Sequence, residues 1–221
     1  MKVDFKEVFS QSFDVLKDNI VPFLIVAAVP MIMGLLTFFG VLGSAGVGSL
    51  GGGVLITVVS AIITAVFSVA MINMSIKGLN GETLTVDSAI PTSSQFIMAL
   101  VLSIMVALLI MLGMLLLVIP GLILMFLLQY SIIFLLDKNE GLVDAMKSSI
   151  NLAKNNIGET IILLIAVYVI GMVQAMIPFS DLVLMPFAML LTVAVYNALQ
   201  TEGISTKVVT TIEDNIEEGV K

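Results

Sequence analysis

The sequence predicts an all-α fold, a polytopic membrane helical bundle of about six transmembrane helices. Of its 221 residues, 59% are hydrophobic and only 11% charged. Its mean hydropathy of +1.18 lies far above that of a water-soluble domain. The apolar residues also fall into long runs of the length needed to cross a bilayer. No long polar linker divides those runs, so residues 1–200 read as one transmembrane domain and 201–221 as an acidic tail.

The first element is amphipathic. Residues 3–19 alternate apolar and charged positions, with Phe5, Phe9 and Phe13 at helical spacing on one face. They contain no continuous apolar stretch and no small-residue cleavage site, so the segment is expected to be retained rather than removed as a secretory signal. Six apolar runs follow, at 20–39, 54–76, 96–118, 122–136, 160–177 and 182–199. The fourth has 15 residues. At ~1.5 Å per residue it covers only about 22 Å, so it must recruit its neighbours, thin the bilayer or sit partly inside the bundle. Pro30 and Pro186 predict kinks, and Ser60, Thr64 and Ser68 recur every fourth residue as a small-residue seam.

Lysine placement orients the chain. Lys2, Lys6 and Lys17 precede the first run, Lys77 follows the second, and Lys138, Lys147 and Lys154 lie between the fourth and fifth. Lys207 and Lys221 follow the sixth. The connections "GVLGSAGVGSLGGG", "IPG" and "IPFSD" carry no lysine, and Asp181 is the one acid among them. Excess cation marks the cytoplasmic side, so a multi-pass protein of the cell membrane is expected, with both termini cytoplasmic and Gly46 and Asp181 outside.

The segment "GLVDAMKSSINLAKNNIG" interrupts the apolar runs. As a helix over 141–156 it places Leu142, Met146 and Ile150 on one face and Asp144, Lys147, Asn151 and Lys154 on the other. A shift of 137 residues superposes it on the N-terminal segment: Phe5 on Leu142, Phe9 on Met146, Phe13 on Ile150, Lys17 on Lys154 and Asn19 on Asn156. Each copy leads directly into an apolar run, the arrangement of an amphipathic helix lying in the membrane interface. "GETLTVDSAIPTS" keeps a degenerate version of the spacing at Val86, Ala89 and Ile90 before Pro91, which points to an internal repeat of one interfacial helix and two spans.

Residues 115–165, with Ile119, Pro120, Gly121, Asp137, Ala145 and Ser149 at the motif positions, resemble the poorly characterised membrane proteins related to the membrane domain of glycerophosphodiester phosphodiesterases. The resemblance implies a six-helix fold with little established activity. Where some relatives carry cations in the fourth span, this chain has Gln129 and Tyr130.

Composition excludes several chemistries. With no cysteine and no histidine, thiolate nucleophiles, Ser-His-Asp relays and Cys/His zinc sites cannot be built. The acids are dispersed through loops and tails, so no metal-activated hydrolase site is expected, and any phosphodiesterase activity would come from another chain. A net charge of −7 without arginine argues against nucleic-acid binding. "GVGSLG" matches the letters of a dinucleotide fingerprint, but it follows an apolar run and lacks the downstream acid, so it reads as a loop. The expectation is a non-enzymatic protein without cofactors, in contact with membrane lipids or with another membrane protein. The alternative is a small transporter or accessory permease, whose polar intramembrane cavity would use Asn73, Gln129, Tyr130, Gln174 and Asn197.

Overall fold

The structure, a computed structural model, describes residues 3–46 and 50–219, with side chains described over 3–43 and 53–201. Its order is α1 (Phe5–Asp18), α2 (Ile20–Gly46), α3 (Leu50–Leu79), a 3-10 turn (Asp87–Ala89), α4 (Ser93–Leu116), α5 (Val118–Leu128), α6 (Ser131–Lys138), α7 (Leu142–Asn155), α8 (Ile157–Met176) and α9 (Asp181–Gly219). Among the described residues, six segments are long and apolar enough to cross a membrane. They fall within α2, α3, α4, α5 together with α6, α8 and the first half of α9. Large apolar side chains such as Phe38, Phe39, Leu55, Leu115 and Met176 are exposed along them, as expected where lipid rather than water is the solvent.

α9 is the central helix. It packs against α1, α2, α3 and α8. Half of its spanning stretch is buried, against 17% for α4 and for α8. Pro30 and Pro186 both sit inside continuous helices rather than at breaks. α9 runs on to Gly219, so the segment expected as a tail begins as a continuation of the last span, and Lys221 lies outside the described residues. Of "GVGSLG", residues 47–49 also lie outside them.

α1 and α7 have the same length and the same closure. Each spans 14 residues and ends on an asparagine whose side-chain amide donates to the carbonyl four residues back. Asn19 Nδ2 reaches Val15 O and Asn156 Nδ2 reaches Leu152 O, both at 3.0 Å. Orphan carbonyls of the last turn are thereby satisfied, and the chain turns into α2 or α8 at once. The start of α1 is capped by Asp4, whose Oδ1 accepts from the Lys6 and Glu7 amides.

These two helices turn a different face to the bundle from the one their largest apolar residues suggest. The buried residues are Val8, Ser12 and Leu16 in α1 and Ala145, Ser149 and Ala153 in α7, again 137 residues apart. Phe9 and Phe13 are more than half exposed, whereas Phe5, Leu142, Met146 and Ile150 are half-buried. Phe9 also touches the bundle edge-on, with its ring 4.8 Å from that of Phe187.

The fourth span is longer than the apolar count suggests, because α5 and α6 together cover 118–138 with a break at Gln129 and Tyr130. The preceding turn also lies earlier than expected. Leu117 alone, extended at φ −161°, joins α4 to α5, and Ile119, Pro120 and Gly121 are already helical. Proline is tolerated in a first turn, where its missing N–H has no partner to lose. Gly113 and Gly121 make so tight a hairpin possible, since a Cβ on Gly113 would lie 2.9 Å from Gly121 Cα and one on Gly121 2.7 Å from Met114 N.

Candidate functional site

The four amides and one tyrosine expected to line an intramembrane cavity do not gather in one place. Gln129 and Tyr130 form the break in the fourth span. Tyr130 N–H leaves the helical ladder and donates to Ser149 Oγ at 3.1 Å, and the same hydroxyl donates to Leu127 O at 2.7 Å. Gln129 Nε2 donates to Phe126 O at 3.3 Å. Backbone groups freed by the break are therefore held by side chains, one of them from α7. Ser149 can do this because Ala145 and Ala153, one turn to either side, let α7 approach α5 and α6 closely.

Beside the break the interior is aromatic and polar together. Tyr130 and Tyr196 have ring centroids 6.3 Å apart, and Phe134 meets Tyr196 edge-on at 5.0 Å. Tyr196 Oη donates to Asp137 Oδ2 at 2.9 Å, and Lys138 Nζ lies at the same distance from that oxygen. The hydroxyls of Tyr130, Ser131 and Thr160 are enclosed, with Thr160 and Glu159 beside the Tyr130 hydroxyl. Asn197 follows Tyr196 on α9 and is half-buried.

Asn73 lies at the end of α3 that carries Lys77. Its Nδ2 donates to Ser88 O at 3.1 Å and Ala89 O at 3.0 Å, and Lys77 Nζ donates to Ser88 O at 2.8 Å. The 3-10 turn is thereby pinned to α3 by two side chains one helical turn apart. Beside Asn73 and Lys77 opens a cavity of about 570 Å³, bounded by the end of α3, by Asn80, Glu82 and residues 90–92 of the connection, by the start of α4 and by the end of α6. Its polar lining includes Asn73, Lys77, Asn80, Glu82, Gln95 and Asp137. Sequence reading missed this site. Asn80, Glu82 and Gln95 lie in or beside an ordinary polar connection, and nothing in their spacing signals that Asp137 joins them from a later span.

Gln174 belongs to another cavity, of about 530 Å³, between α2, α3 and the α8–α9 turn, where Pro30, Gly34, Thr64, Phe179 and Asp181 also contribute. Phe179 holds a left-handed backbone at φ 66°, rare for an aromatic residue. Asp181, expected in an external loop, is exposed in the first turn of α9 and borders this cavity. The expected small-residue seam borders a third cavity of about 660 Å³ between α2 and α3, where Thr37 donates to Ser60 at 2.6 Å. Among the described residues no group of three or more acids and histidines could hold a metal ion.

No family model, curated protein or solved structure matches the chain.

Proposed function

We propose that this integral membrane protein is non-catalytic and acts through its lysine-bearing end, by contact with membrane lipid or with another membrane protein. In this reading it resides in the cell membrane with both termini cytoplasmic, and α1 with α2 and α7 with α8 are two copies of one internal repeat. Phe5, Phe9, Phe13, Leu142, Met146 and Ile150 then meet the membrane interface while the small residues beside them hold the helices to the bundle. The resemblance proposed for residues 115–165, to poorly characterised membrane proteins related to the membrane domain of glycerophosphodiester phosphodiesterases, would suit a partner role for a catalytic domain on another chain.

The observation that carries the reading is where the polar groups are used. Gln129 and the Tyr130 amide close a helix break, Asn73 pins a turn, and the two cavities that include Asn73 and Gln174 hold one candidate residue each. A solute path would need these groups free and lining a common route. The second reading, a small transporter, is favoured by the cavity that joins Gln174 and Asp181 near Pro30.

Flux from reconstituted vesicles separates the two. The purified chain is expected to give no saturable uptake of amino acids, sugars or inorganic ions above empty vesicles. Uptake that is lost in a well-folded Gln174→Leu variant would replace the first reading by the second.

A further inference from the structure

We propose that the cavity between the end of α3, the α3–α4 connection, the start of α4 and the end of α6 binds a phosphoethanolamine group, a phosphate joined to a primary ammonium, presented by a membrane phospholipid. The proposal rests on the lipid-contact reading and specifies the headgroup. Its first support is the presence of opposite charges in one lining: Lys77, Glu82 and Asp137 all border a space of about 570 Å³. A purely anionic headgroup would meet two carboxylates there, and a purely cationic one would meet Lys77.

The second support is a buried side chain with an unused acceptor. Asn73 is 7% exposed, and both of its hydrogen bonds are made by the amide nitrogen, which leaves its carbonyl oxygen for a donor in the cavity it lines. A primary ammonium supplies such a donor, with N–H groups to spare for Glu82 or Asp137. On the phosphate side, Lys77 uses one donor on Ser88 O and has two more. Thr92 and Ser93 border the same space at the start of α4, where Thr92 makes no side-chain cap and the first-turn amides are left for an anion. Position agrees with the source. The cavity lies at the end of the spans, the depth at which headgroups lie, and α4, which borders it at Ser93 and Gln95, carries the exposed apolar residues Ile97, Val101 and Ile104 further along.

Native mass spectrometry of the full chain in detergent, with short-chain phosphatidylethanolamine, phosphatidylglycerol, phosphatidylcholine and diacylglycerol offered in turn, tests the assignment. Phosphatidylethanolamine should be retained best, because its ammonium donates hydrogen bonds that trimethylated choline cannot. Glu82→Gln should abolish the preference over phosphatidylglycerol, and Lys77→Gln should cut retention of all three phospholipids about tenfold, the worth of one charge-assisted hydrogen bond. Lys77 also pins the turn, so the fold of each variant is checked by circular dichroism and melting, and the exposed Glu82 carries the decision if Lys77→Gln unfolds. Free phosphoethanolamine is titrated separately, and binding as tight as that of the lipid would overturn the membrane source. Equal retention of all four lipids overturns the headgroup site alone, whereas retention of none above a detergent control overturns the lipid-contact reading as well.

Discussion

Replacing Ser149 by alanine removes one oxygen from a fully buried position and strands two backbone groups. The hydroxyl accepts from Tyr130 N–H at 3.1 Å and donates to Leu127 O at 2.7 Å, where the fourth span is broken and neither group has a helical partner. A buried backbone group left unpaired costs about 1–3 kcal/mol, so with partial relaxation of the break the pair should cost about 2–4 kcal/mol. Ser12 supplies an internal control. It occupies the matching position in α1 and is equally buried, but its hydroxyl donates only to Val8 O of its own helix. Ser12→Ala should therefore cost less than about 1 kcal/mol. Reversible unfolding in mixed micelles reads both values, and by the scaling for chains of this size the Ser149 variant should melt about 5–15 °C below wild type. Equal losses for the two variants would refute the argument that Ser149 closes the break.

Gly121→Ala should destabilise by about 1–3 kcal/mol, because its methyl would stand 2.4–2.7 Å from Met114 atoms, whereas Gly171→Ala, with nothing within 4 Å, should be neutral or stabilising in the same unfolding assay. Val8→Asp should lower the folded yield far more than Phe13→Asp, since Val8 is 5% exposed and Phe13 54%; equal yields would place both residues in one environment. Single cysteines at Asp181 and Lys147 test orientation without background from native thiols: impermeant reagent on intact cells should label the first and spare the second, and labelling at Lys147 would overturn the six-span topology.

The spans were legible because a run of about 20 apolar residues has few alternatives to crossing a bilayer. Their boundaries were also close, since asparagine, lysine and proline punctuate them. The turn at Leu117 was not legible, because Pro120 reads as a breaker when the first turn of a helix is the place that tolerates it. Nor was the buried face of α1 and α7. Periodicity weights the large residues Phe9, Phe13 and Met146, while close approach between helices uses the small ones, Ser12, Ala145 and Ser149. Asn73 read as an intramembrane amide, yet its partners lie 15 and 16 residues on, in a 3-10 turn that no apolar pattern announces. Asp137 joins it from the far end of α6, a tertiary proximity without local trace.

The α4–α5 turn makes the molecule unequal at its two ends. Leu115, Leu116, Leu117, Val118 and Ile119 are 62–82% exposed and offer the distant headgroups no charge and no side-chain hydrogen bond. Nothing in that tip resists being drawn deeper into hydrocarbon, whereas lifting it into water would expose five large side chains. Lysines and amides fix the opposite end at its own interface. At this hairpin a thicker membrane is therefore met at little cost, by swallowing the tip, while a thinner one must deform around it or tilt the hairpin.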